Sequence, residues 1–136
     1  MNLLLDTSVI ISFLIKDKHT AAAEKIFITI LEGKVSASIT SLILVEVCGV
    51  LRRVVGKETA ELALAKLNIW ISKGILSVFD QTKEIASLAC SFAIDYGIKG
   101  ADALIAATSY YHKLNLVTFD EELITKLKHK VNFYSS

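Results

Sequence analysis

The chain has no proline and only two cysteines. Without proline, its punctuation falls to glycine and to polar or charged residues. Cys48 and Cys90 show neither a disulfide framework nor a metal-ligand spacing. Each lies in an apolar helical run and reads as a small core residue, which fits a reducing cytoplasm. The three histidines, His19, His112 and His129, are dispersed along the chain and read as surface residues. There is no glycine-rich phosphate loop and no convincing Ser–His–Asp order. A formal net charge of +1 gives no global signal for a polyanionic partner. No stretch is suited to a bilayer, because SLILVEVCGVL is too short and carries Glu46. The opening MNLLLDTSVIISFLI lacks a basic leading segment and is interrupted by Asp6, so it does not read as a signal peptide.

What is present is apolar: 53% of the 136 residues are hydrophobic. That suits one ordinary domain over residues 1–136 with a substantial core. Residues 2–6 read as a buried first strand, and Thr7 and Ser8 offer cap hydroxyls for a short helix from Val9 to Leu14. After the polar break Lys16 to His19 comes a helix over 20–32, closed by Gly33. Val35 to Ile39 is a second strand. Thr40 or Ser41 caps a helix running to Val55 and stopped by Gly56, and the next covers 58–73, with Leu62, Leu67 and Trp70 among its apolar positions. Ile75 to Phe79 is a third strand. Helices follow from Thr82 to Tyr96 and over 101–113. Leu116 to Phe119 is a fourth strand, 121–128 a short helix, and Val131 to Tyr134 a weak final strand. Strands alternate with helices, so the expected fold is α/β, a central parallel sheet with helices on both faces.

Four carboxylates sit in apolar surroundings: Asp6 in LLLDTSVII, Glu46 in LILVEVCGV, Asp102 in GADALIAA and Asp120 in LVTFDEEL. Burying a carboxylate without a partner is costly. Asp6 ends the first strand and Asp120 follows the fourth, on the carboxyl edge where open α/β sheets bind ligands. Taken singly, each also reads as a turn or helix-cap residue. Glu46 is mid-helix and shares a face with Leu42, Ile43, Gly49, Val50 and Arg53. Its bland readings are an ion pair with Arg53 and an amphipathic edge facing water. Asp102, in a first helical turn, is favourable against the helix dipole, and Ala103, Ala106 and Ala107 would let that helix pack closely on the sheet. Jointly the four are harder to dismiss. Two carboxylates about 5 Å apart repel by roughly 3 kcal/mol at an effective dielectric near 20. A hard divalent cation would relieve such a cluster through oxygen ligands.

These segments, together with TSLILVEVCGVLRR and KGADALIAATSYYHKLNLVTFDEEL, resemble the PIN domain family, and most closely its VapC-type toxin ribonucleases. Asp6-Thr7-Ser8, Glu46 with Ser41 upstream, Asp102 to Ala107 and Thr118-Phe119-Asp120 match the family's motifs in order. Glu121 and Glu122 depart from the pattern, being more acidic than in many relatives. The resemblance implies a three-layer PIN-like fold and a metal-dependent endoribonuclease. Asp6, Glu46, Asp102 and Asp120 would hold one or two Mg²⁺ or Mn²⁺ ions, with Ser8 and Thr118 supporting them. Metal-activated water would leave 5′-phosphate and 3′-hydroxyl ends. It also implies an RNA substrate, a small antitoxin partner and a homodimer.

Other residues stay open at this level. Arg52 and Arg53, the only arginines, are candidate phosphate or partner contacts, with a plain surface role as the alternative. Tyr110 and Tyr111 read as core or interface residues before they read as base-stacking platforms. Leu67, Ile69, Trp70 and Ile71 suit core or interface. A housekeeping PIN nuclease in RNA processing and a non-catalytic PIN-like scaffold are the competing readings. A response-regulator receiver domain would need an Asp pair near the first strand and a phosphorylatable Asp ending the third, which this chain lacks.

Overall fold

A computed structural model describes residues 1–135. β1 (Asn2–Leu5) is the hub of the fold: Leu3, Leu4 and Leu5 are all at most 1% exposed. A strand buried on both faces reads as a continuous apolar run, and this one does. It pairs in parallel with β2 (Ser36–Thr40) on one side and β4 (Asn115–Val117) on the other. β3 (Leu76–Phe79) extends the sheet beyond β2, giving the order β3-β2-β1-β4. The chain therefore leaves β1 in one direction, then crosses to the other side for β4. That reversal makes the carboxyl end of β1 a topological switch point, where ligands of open α/β sheets bind.

Among the described residues seven helices flank this four-stranded sheet, in the expected α/β arrangement. α1 (Thr7–Leu14) packs on α2 (Thr20–Leu31) and α3 (Ser41–Val55), and α3 on α4 (Lys57–Ser72). α5 (Lys83–Tyr96) and α6 (Gly100–His112) pack on each other. The short α7 (Glu121–Leu127) follows β4. Phe13, Phe27 and Trp70 seal the α1–α2–α4 junction, the two phenyl rings stacked at 4.1 Å. α4 buries Ala60, Ala63 and Leu67 while Leu62 and Ile69 face outward. No helix among the described residues is long and apolar enough to cross a membrane.

Several expectations need correction. β1 stops at Leu5 and α1 begins at Thr7, two residues before Val9, because Asp6 rather than Thr7 or Ser8 supplies the capping oxygen. β4 ends at Val117, since Thr118 and Phe119 turn away to meet Asp6 and Ser8. The segment Val131 to Tyr134 makes one bridge, Phe133 to Leu116, and is not a strand. Cys48 is only half-buried and Cys90 is exposed, so neither is a core residue. His19 and His112 are half-buried, stacked on Phe119 and Phe79, while His129 is exposed. Tyr110 and Tyr111 are exposed, although the Tyr110 ring meets the edge of Phe92.

Candidate active site

Asp6 is the centre of the site and is only 8% exposed. Its Oδ1 accepts the Thr7 backbone N–H at 2.8 Å, the N-cap bond of α1. Its Oδ2 accepts the Ser8 hydroxyl at 3.1 Å and the Thr118 hydroxyl at 2.8 Å. Burial pushes the Asp6 carboxyl above its ordinary range. The three hydrogen bonds oppose that shift, and the nearby charge of Asp120 adds to it. The two hydroxyls also tie the exit of β4 to the start of α1. Ser8 Oγ accepts the Phe119 N–H at 3.3 Å, and Thr118 Oγ1 accepts the Asp120 N–H at 3.1 Å.

The strand order sets the other three carboxylates on two flanks of Asp6. Glu46 comes from the β2 side, on α3, whose start is capped by Thr40 through the Ile43 N–H at 3.0 Å. Its Oε1 accepts the Thr7 hydroxyl at 3.1 Å. Thr7 thereby links Glu46 to Asp6, whose Oδ1 accepts its backbone N–H, a role its sequence position did not announce. Glu46 is half-buried and, among the described residues, makes no ion pair with Arg53. The expected apolar enclosure is incomplete.

Asp102 and Asp120 come from the β4 side. Asp102 lies in the first turn of α6, and Ala103, Ala106 and Ala107 below it are buried as expected. Its carboxyl is raised chiefly by burial, then by the charges of Asp6, Asp120 and Glu46, while Lys99 pulls it down. Asp102 thus feels the other three acids, which puts all four in one electrostatic neighbourhood. Asp120 caps α7, its Oδ1 accepting the Glu122 and Leu123 N–H groups at 3.0 and 3.2 Å. The cap reading and the site reading therefore hold together for this residue. A cleft of about 170 Å³ opens between Asp102 and Asp120, lined also by Lys99, Glu122 and Lys126.

A hard cation fits this donor set by chemistry: carboxylate oxygens only, mutually repelling and partly desolvated. The spacing is open. Among the described residues no three Asp, Glu, His or Cys groups stand close enough together to hold a metal ion directly between them. A cation bridging these side chains would have to be held partly through water, as suits Mg²⁺, which sheds its hydration reluctantly. A larger cleft, about 760 Å³, lies between α5, α6 and the segment 130–132, and none of the four carboxylates lines it. The four acids, not cavity size, mark the candidate site.

Known proteins share this architecture. The VapC20 toxin of Mycobacterium tuberculosis, described as cleaving the sarcin–ricin loop, superposes with a TM-score of 0.76 at 17% identity, covering 90% of this chain and 93% of that one. VapBC2 of Rickettsia felis, bound to a fragment of its promoter DNA, gives 0.72 at 18% identity and covers 98% of both chains. FitAcB of Neisseria gonorrhoeae gives 0.69 at 20% identity over 98% of this chain and 96% of that one. At these identities the likeness is one of fold. No curated protein sequence matches the chain. The PIN domain model matches residues 3–129, the span that carries all four carboxylates, and the chain belongs to the PIN domain family.

Proposed function

We propose that this chain is a metal-dependent endoribonuclease and the toxin of a toxin–antitoxin pair. The observation that carries the reading is geometric: Thr118 joins the Asp6 carboxylate to the Asp120 backbone, Thr7 joins Asp6 to Glu46, and Asp102 lines one cleft with Asp120. Mg²⁺ or Mn²⁺, one or two ions, would supply Lewis acidity and an activated water. The chain's own residues do the rest. Asp6, locked by Thr7, Ser8 and Thr118, presents a carboxylate that cannot swing away. Thr7 holds Glu46 from the other flank. Asp120 is oriented by its own cap bonds, and Asp102 sits on a helix seated by alanines. Such fixed oxygens cost little reorganisation when charge develops on a phosphate.

The toxin assignment is supported by solved toxin–antitoxin relatives of the same fold, among them a complex from Klebsiella pneumoniae. It implies work in the cytoplasm, a small antitoxin that covers the acidic cleft, and a homodimer. The outward-facing Leu62 and Ile69 of α4 suit a second copy. The test of catalysis is cleavage of RNA by the purified protein in Mn²⁺, silenced by EDTA and absent in Asp6→Asn. Cleavage by Asp6→Asn at the wild-type rate, or cleavage that survives chelation, would overturn the site. The toxin role is tested by expressing the chain with and without its neighbouring small reading frame. Growth arrest that the neighbour does not relieve would favour an RNA-processing nuclease.

A further inference from the structure

An acidic centre repels the polyanion it is meant to cut, so something must hold RNA against it. Two cations carried on the same helices as Glu46 and Asp102 have no carboxylate partner among the described residues. The first is Arg53 on α3, one face with Glu46 and Gly49 by the three-and-four spacing of a helix. Its side chain folds back along that face. A methyl group at Gly49 would meet Arg53 Nη1 at 3.3 Å. Glycine inside a helix is destabilising relative to alanine, and the φ of Gly49 is not left-handed. Gly49 thus owes nothing to backbone freedom, and a side chain there would crowd the guanidinium by a few tenths of an ångström. Among the described residues Arg53 makes no ion pair, and Glu46 is held by Thr7 instead.

The second cation is Lys99, at the N-cap of α6 on the opposite flank. Two lysines line the cleft with Asp102 and Asp120. Lys126 is engaged, by Glu122 at 3.0 Å and the Gly97 carbonyl at 3.4 Å. Lys99 has no such partner among the described residues, and its charge reaches Asp102. The strand order keeps the two cations apart: Arg53 belongs to the β2 side of Asp6, Lys99 to the β4 side.

We propose that Arg53 and Lys99 grip the RNA phosphates on the two sides of the scissile one, so that the strand crosses the carboxyl edge of the sheet from α3 to α6. This rests on the ribonuclease reading and adds the path of the substrate. Arg53 offers a planar fork for two phosphate oxygens, and Lys99 a point charge. Arg52, which does not share the Glu46 face, has no part in it.

Binding of a labelled single-stranded RNA by fluorescence anisotropy tests the grip, on an Asp6→Asn background so that the strand stays intact. Arg53→Ala and Lys99→Ala should each weaken binding roughly tenfold, the worth of one charge-assisted contact. Each should also flatten the slope of log K against log salt by about 0.7, and the double variant by about 1.4. Gly49→Ala should weaken binding in the same direction as Arg53→Ala while leaving thermal stability equal or higher, which a merely structural arginine would not produce. Lys34→Ala, at the amino edge of the sheet, should change neither affinity nor slope. Unchanged affinity in either single variant overturns the grip, as does an equal loss in Lys34→Ala or an absence of RNA binding by the Asp6→Asn parent. Cleavage by the wild type is scored separately. If it fails while the binding pattern holds, the catalytic reading falls and the phosphate grip stands.

Discussion

Thr118 Oγ1 donates to Asp6 Oδ2 at 2.8 Å, joining the end of β4 to the end of β1 across 112 positions of sequence. The same hydroxyl oxygen accepts the Asp120 N–H. One side chain therefore holds the Asp6 carboxylate and the backbone of Asp120 together. Thr118→Val keeps the shape and removes both bonds. A lost hydrogen bond to a buried charged group costs about 1.5–3 kcal/mol, so the urea midpoint should fall accordingly. Cleavage should drop by roughly 10–100-fold, the usual cost of losing a supporting partner at a metal site. A variant with wild-type activity would remove Thr118 from the site.

Glu46→Gln separates charge from structure at the second flank. The only hydrogen bond to Glu46 among the described residues comes from Thr7, and a glutamine oxygen can accept it equally well. Stability should therefore change by less than about 0.5 kcal/mol, as for an ordinary surface substitution. Activity in Mn²⁺ should nevertheless fall to background, because a neutral amide is a poor ligand for a hard cation. Retained activity would mean that Glu46 is a bystander held by Thr7.

How much of this was legible in the sequence depends on range. β1 announced itself as an unbroken apolar run, and Gly33 and Gly56 ended helices where expected, both at positive φ. The four acids were found by their apolar context and motif order. What was not legible was relational. Nothing local distinguishes Thr7 as a cap from Thr7 as the donor to Glu46, 39 residues away. Cys48, Cys90, His19 and His112 were misjudged because local sequence does not say which positions face the core, whereas His129 is exposed as expected. His19 gains its cover from Phe119, a contact between the start of α2 and the exit of β4. The last segment reads as a strand by composition, yet only Phe133 forms a bridge to β4.

The raised carboxyls of Asp6 and Asp102 make stability depend on pH in an unusual sense. A carboxyl whose folded pKa exceeds its unfolded one binds more protons in the native state across that interval. Its contribution to stability therefore falls as pH rises from the ordinary value of 3.8 through the raised one. The metal-free protein should lose stability as pH climbs through that window, against the usual trend for paired carboxylates. Asp102→Asn should blunt the loss and unfold at a higher temperature than the wild type at neutral pH. A lower unfolding temperature for Asp102→Asn would show that its charge is compensated by something other than a bound cation.

The same electrostatic cost predicts how the protein answers to metal. Whatever binds the native state alone stabilises it by mass action, by about 2.7 kcal/mol at a ligand concentration one hundred times its dissociation constant. Mn²⁺ should therefore raise the melting temperature of the wild type progressively with concentration. The rise should be largest above the pH at which Asp6 and Asp102 ionise, because a protonated carboxyl is no ligand. Ca²⁺ prefers more ligands and longer bonds than Mg²⁺, so the two should differ in the shift they produce on this open donor set. In Asp102→Asn the Mn²⁺-induced shift should shrink even though the metal-free variant starts from a higher melting temperature. Those two opposite changes, more stable without metal and less responsive to it, follow only if Asp102 is a carboxylate kept for a cation. An undiminished shift in Asp102→Asn would assign the cation to Asp6, Glu46 and Asp120 alone.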